Sequence, residues 1–142
     1  METQNYKNHG RLVPGYHYGL FTLIMAMLVG GIINAVKSGH ENFYSATLLI
    51  LAAVILLLIS YYIRAFSLKA QDRAIKVEEN FRHYLLTGKP LSNDLLMRQI
   101  IGLRFASDKE FPDLAKKAVS ESLSEKDIKE SIKNWKADTY RV

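Results

Sequence analysis

The sequence predicts an all-α membrane protein: an antiparallel two-helix transmembrane hairpin, its second helix extended into the cytoplasm, then a small three-helix tail. Three observations predict it. Two long stretches, Leu12 to Val36 and Asn42 to Ile63, contain no Asp, Glu, Lys or Arg. Only a short polar link separates them. Beyond the second stretch, apolar residues recur at helical spacing with no breaker before Gly88.

Whole-chain averages conceal this layout. The 142 residues are 49% hydrophobic with a mean hydropathy of −0.03, values ordinary for a soluble domain. The apolar residues are concentrated in the first half, so the average mixes a membrane part with a charged part. Cysteine is absent, which excludes disulfides, thiolate nucleophiles and Cys-based metal sites. The net charge is +5, and residues 1–90 carry most of it: 9 Lys/Arg against 5 Asp/Glu, compared with 10 against 9 in residues 91–142.

Crossing ~30 Å of hydrocarbon takes about 20 apolar residues in a helix. Gly19 to Ile33 forms the core of the first stretch, and Leu48 to Ile59 is unbroken Leu, Ile, Ala and Val. Backbone hydrogen bonding in lipid requires both to be helical. A cleaved signal peptide is the competing reading of the first, but its apolar run is too long and Gly30-Gly31-Ile32-Ile33 is a poor cleavage site. The link Lys37 to Asn42 forces both termini to one side. Lys7 and Arg11 precede the first span, and Arg64, Lys69, Arg73 and Lys76 follow the second, whereas the link offers Lys37 alone. The positive-inside rule therefore puts both termini in the cytoplasm. Tyr16, Tyr18, Tyr61 and Tyr62 fit an inner aromatic belt, and Phe43 and Tyr44 an outer one.

Helices in lipid associate by close packing and polar contact. Thr22, Ala26, Gly30 and Asn34 recur every four residues and form the candidate helix-packing face, either against the second span or against another membrane subunit. In the second span Ala46, Ala53 and Ser60 are the smaller positions. Neither span holds an Asp, Glu, Lys or Arg, the groups that usually line transport pathways, so a stand-alone transporter is disfavoured.

The second span reads on as one helix from Phe43 to Leu86. Phe66, Ala70, Ala74, Val77, Phe81 and Tyr84 form an amphipathic stripe, Gly88 fits a C-terminal cap and Pro90 prevents continuation. The stripe needs a cover: the tail folding back, the bilayer surface, a second copy or another protein. Arg64, Lys69, Arg73 and Lys76 are candidate lipid-headgroup contacts beside their topological role.

Residues 91–142 predict three short helices. The first runs from Ser92 as N-cap to Ala106, with Leu96, Ile100 and Leu103 on one face. The second follows Ser107-Asp108-Lys109-Glu110, which has capping-box spacing, and runs past Pro112 to Leu123. The third starts at Ser124 and puts Ile128, Ile132 and Trp135 on one face. Each is marginal alone, and 52 residues make a small core, so the tail should lean on the arm, the membrane or a partner. Glu125–Lys129 and Glu130–Lys133 have ion-pair spacing. A near-neutral tail lacks the basic field that nucleic-acid binding needs. No Ser-His-Asp context, phosphate loop or metal-ligand spacing is present, so no catalytic, cofactor-binding or metal residue is assigned and no cofactor is expected.

The whole chain resembles an uncharacterised family of bacterial two-span inner-membrane proteins of unknown function. The resemblance is carried by Arg98-Gln99-Ile100-Ile101-Gly102-Leu103-Arg104-Phe105-Ala106-Ser107-Asp108, by Ile132 to Val142, and by Gln4-Asn5-Tyr6-Lys7-Asn8-His9. It implies the bacterial inner membrane and carries over no activity. The expected layout is a cytoplasmic segment 1–15, spans 16–36 and 43–63 joined by a periplasmic loop 37–42, a cytoplasmic helical arm 64–87 and a helical tail 91–142. The favoured role is a non-enzymatic accessory or scaffold protein whose tail binds a protein or self-associates, with Arg104, Trp135, Tyr140 and Arg141 as candidate contacts, because Trp, Tyr and Arg anchor interfaces. The alternatives are a small transporter component or oligomeric channel and, below it, a membrane-tethered nucleic-acid binder. Trp135 filling the tail core is the plainer role for that residue.

Overall fold

The structure, a computed structural model, describes residues 4–10, 12–37 and 39–138; Tyr140 and Arg141 lie outside them. A π-helical turn, Gly15–Leu20, leads into α1 (Phe21–Lys37), followed by α2 (His40–Thr87), α3 (Met97–Leu103), α4 (Phe111–Ser120) and α5 (Glu125–Ser131). Among the described residues there is no strand, only an isolated antiparallel bridge between Ala106 and Trp135. The chain divides into two compact units, Arg11–Ser67 and a second made of Met1–Gly10 with Leu68–Val142. The helix α2 contributes to both.

The helix Gly15–Lys37, which is the π turn and α1 together, and the helix α2 are both long and apolar enough to cross a membrane. Pro14 precedes the π turn, where its missing N–H costs no helical hydrogen bond. In the first unit the buried positions are Ile24 and Gly31 on α1 and Ala46 and Ala53 on α2, seven apart on each helix. A Cβ on Gly31 would stand 3.0 Å from Ile50 Cγ1 and 3.3 Å from Ile50 N, so the helices approach there with almost no clearance. At the other end the Tyr16 hydroxyl donates to the Ser60 carbonyl. This packing face is not the expected one. Thr22, Ala26 and Gly30 are exposed, Asn34 is half-buried, and nothing lies within 4 Å of a Cβ at Gly30. Neighbouring residues on a helix point about 100° apart, so only one glycine of the Gly30-Gly31 pair can meet Ile50. Ile50 and Leu49 of α2 lie against Gly31.

In the second unit, α2 ends at Thr87, and Gly88 takes the left-handed conformation (φ +71°) while its N–H donates to the Tyr84 carbonyl at 2.8 Å. Ile75 of α2 joins Leu91, Leu95, Ile100, Leu103, Phe111 and Ile128 in one core, so the tail does build on the arm. Gln99, 6% exposed, bonds α3 to the end of α4: its Nε2 donates to the carbonyls of Ala118 (3.0 Å) and Leu123 (2.9 Å). Gly102 allows α5 to close on α3, since a Cβ there would meet Ile128 Cγ2 at 3.1 Å and the Glu125 carbonyl at 3.2 Å.

The tail helices are shorter than the pattern predicts. Ser92 does not cap α3; its hydroxyl donates to Asp94 Oδ2 at 2.9 Å and accepts from Asp94 N at 3.2 Å, a local turn that competes with helix. Leu96 is exposed, unlike Ile100 and Leu103. Glu110 forms no capping box, because its carboxylate accepts instead from Asn134 N and from Asn134 Nδ2 at 2.6 Å. Ser122 turns left-handed (φ 49°) and stops α4 early. The third helix does start after Ser124, which forms a reciprocal cap with Asp127. That helix stops at Ser131, so Trp135 sits on an extended segment, where Lys136 N donates to the Phe105 carbonyl at 2.8 Å. Lys133 is therefore beyond the helix, and Glu130 pairs with Lys126 (3.8 Å) rather than with Lys133.

Replacing Gly31 with Ala should loosen the α1–α2 contact by about 1 kcal/mol, as overpacking does, whereas Gly30→Ala should be neutral. Thermal unfolding of the two variants in the same detergent checks this; equal melting temperatures would exclude the Gly31 contact.

Candidate functional site

Arg82 joins α2 to the tail. Its Nε donates to Asp108 Oδ1 (2.7 Å), Nη1 to Glu79 Oε2 (2.9 Å) and Nη2 to the Ala106 carbonyl (2.6 Å), while the guanidinium lies 4.5 Å from the centre of the Phe111 ring. His83, one position on, bonds through Nδ1 to the Lys89 carbonyl at 2.7 Å and sets its ring edge-on to Phe111. A carbonyl only accepts, so Nδ1 carries the proton. The face of α2 covered by the tail is therefore Ile75, Glu79, Arg82 and His83, a partly charged face.

The stripe expected to seek cover stays uncovered. Phe66, Val77, Phe81 and Tyr84 are exposed, Val77 by 69% and Phe81 by 60%, and Ala70 and Ala74 are exposed with them. Leu85, 68% exposed, widens the patch. Exposed apolar rows of this kind mark contact sites more often than chance. Sequence periodicity found the stripe; only the structure shows that the tail takes the other side.

A second cluster gathers where the N-terminal segment lies on the tail. Trp135 stacks on Phe105 with centroids 4.6 Å apart, and the His9 ring meets both. His9 Nδ1 donates to the Tyr6 carbonyl at 2.6 Å, leaving Nε2 to accept from Lys129 Nζ at 3.1 Å. Gln4 spans the edge: its Oε1 accepts from Asp138 N (2.7 Å) and its Nε2 donates to the Asp138 carbonyl (3.0 Å). Nothing in the sequence signals that residues 4–9 pack against residues 105–138.

Of the candidate tail contacts, Trp135 and Arg104 are both half-buried, Arg104 with only 9% of its side chain exposed. Arg104 Nη1 stands 3.2 Å from Asp138 Oδ2, an ion contact without aligned hydrogen bonds, since neither Nε nor Nη1 finds an acceptor. The two residues are brought together, but inward. Of the candidate headgroup contacts, Lys69, Arg73 and Lys76 are exposed and Arg64 is half-exposed; none is in an ion pair within the described residues.

Lys129, nearly buried, is neutralised by Glu125 Oε1 at 2.6 Å. Burial pushes the Glu125 carboxyl up, but the hydrogen bond and charge of Lys129, with Arg98 beside it, outweigh burial and hold it below its ordinary value. The Ser124 hydroxyl and N–H hold Asp127 below its ordinary value as well. A mainly apolar cleft of about 380 Å³ lies between the end of α2 and α4, lined by His83, Leu91, Leu95, Ala115 and Val119. Among the described residues no group of three or more His, Asp or Glu converges to hold a metal.

Over residues 1–142 the chain matches a family of unknown function, DUF6526. The chain belongs to this family. Neither the curated proteins nor the solved structures contain a match. The DUF6526 match spans the N-terminal segment as well as the tail that it packs against.

Trp135→Ala should destabilise the tail by about 3 kcal/mol, in the range for aromatic truncations, and Gln4→Ala by about 1 kcal/mol. Urea unfolding followed by circular dichroism checks both, and no effect of Gln4→Ala would remove the N-terminal docking. Acidification should also weaken the tail. Glu125 and Asp127 have lower pKa values folded than unfolded, so the unfolded chain binds more protons as pH falls. Their contribution is complete above the ordinary carboxylate range near 4 and is lost below it. Unfolding midpoints followed by Trp135 fluorescence should hold from pH 7 to 5 and fall by pH 3, less so in a Glu125→Gln, Asp127→Asn double variant.

Proposed function

We propose that this chain is a non-enzymatic accessory or scaffold protein of the bacterial inner membrane, working through protein–protein contact. The observation that carries the reading is the uncovered apolar face of distal α2, from Ala70 to Tyr84, with the chain's own tail docked on the opposite side. A face left bare by its own tail is available to another protein.

Membrane anchoring rests on the first unit. Its large apolar side chains point outward, Leu23 by 70% and Leu51 by 54%, which is the arrangement of a helix in lipid and not of a core helix in water. The hairpin reading rests on the contacts at Gly31–Ile50 and Tyr16–Ser60, which pair the end of α1 with the start of α2 and its start with a later turn. The packing of Gln4 and His9 on the tail supports termini on one side, because the chain must then cross the bilayer an even number of times between Gly10 and Leu68. The cations around Arg64 to Lys76 favour the cytoplasmic side.

Single cysteines test the layout, since the chain has none of its own. In intact cells a membrane-impermeant maleimide should label Gly39→Cys and leave Ser92→Cys unlabelled until the membrane is opened. The reverse pattern would overturn the orientation, and extraction of the protein by alkaline carbonate would overturn the membrane anchor.

A further inference from the structure

We infer that the exposed face of distal α2 is a parallel coiled-coil seam whose occupant is the same face of a second copy of this chain. The inference names the partner of the contact surface proposed above and rests on that reading.

The spacing is the first ground. Ala70, Ala74, Val77, Phe81 and Tyr84 follow one another at intervals of four, three, four and three, the a/d alternation of a heptad repeat, with Ala74 and Phe81 at a and Ala70, Val77 and Tyr84 at d. A surface helix facing its own core needs a broader stripe; between Ala70 and Tyr84 the exposed apolar residues keep to the narrower a/d line of helix pairing, with Leu85 flanking it at e. The tail leaves this seam open. Ile75 and Arg82 fall at b, Glu79 at f and His83 at c, so the covered side lies opposite the a/d line, and two copies can meet without displacing their tails.

Charge identifies the occupant. In a parallel pair, the residue at g faces the e residue five positions later on the partner helix. Arg73 is at g and Glu78 at e, five apart. Both are exposed, and neither is in an ion pair within the described residues. A two-fold axis brings each Arg73 to the other copy's Glu78, twice over, so a single surface supplies both halves of the match. An antiparallel pair would set g against g and e against e, and these charges would not meet. Copies inserted into one bilayer the same way round present their arms parallel. Two heptads are marginal in free solution, but confinement to the same membrane raises the effective concentration.

The test uses the full chain in lipid nanodiscs or vesicles, with single cysteines and mild oxidation. Ala74→Cys and Val77→Cys should give disulfide-linked dimers, several-fold more than Lys76→Cys at the outward c position. In the Val77→Cys background, Arg73→Glu should reduce the dimer and the further Glu78→Arg should restore it. These charges are exposed, and Trp135 fluorescence confirms that each variant keeps its tail folded. Equal yields at Ala74 and Lys76, no dimer at any position, or no recovery in the swapped pair would overturn the seam. A Phe81→Glu variant separates this from the broader reading. If it stays folded and membrane-bound, keeps its oligomeric state and loses a different stoichiometric protein, the second copy is wrong and the contact surface stands. If it loses nothing, both are wrong.

Discussion

The guanidinium of Arg82 determines which side of α2 the tail occupies. It meets a carboxylate on its own helix, a carboxylate and a carbonyl in the tail, and the face of Phe111. A partly buried cation of this kind is held where its donors are met, because desolvation is costly and an unpaired charge costs more. The acceptors come from the turn after α3 and the ring from the start of α4, so both must arrive together. Apolar contacts around Ile75 add area but little direction. Planar, forked hydrogen bonding adds direction, and it commits the tail to the charged side of the helix.

That commitment explains the inversion on the arm. Periodicity identifies an apolar face and assumes that the face turns inward, because burial of apolar area is the largest favourable term in folding. The tail carries its own apolar residues, Leu103, Phe111 and Ile128, and completes its core with Ile75 alone from the middle of the arm. The remaining demand is for fixed polar partners, and Glu79, Arg82 and His83 meet it. The apolar stripe is then surplus to the monomer.

Local signals were legible in the sequence and long-range ones were not. The charge-free stretches, the stop at Gly88 and the helix start after Ser124 each depend on a few adjacent residues, and each is found where the pattern puts it. Gly31 instead of Gly30 is decided by Ile50, nineteen positions away, and Trp135 leaves its expected helix because the Phe105–Ala106 backbone offers it a bridge. Ser92 and Glu110 are both good capping residues with a better bond elsewhere, Ser92 with Asp94 close by and Glu110 with Asn134 far along the chain. The hardest case is Gln4, whose amide bonds to Asp138 at the far end of the chain. A polar residue in a short N-terminal segment carries no pattern from which that could be read.

The N-terminal docking also fixes a long-range closure within the second unit. Residues 4–9 close over Phe105 and Trp135, and the chain leaves that body at Gly10 and returns to it at Leu68. The intervening segment is thus a closed loop with both ends tied to one folded unit. Closing so long a loop has an entropic cost, though one that grows only slowly with its length, and the ring contacts of His9 with Phe105 and Trp135 and the paired bonds of Gln4 to Asp138 offset it within the second unit.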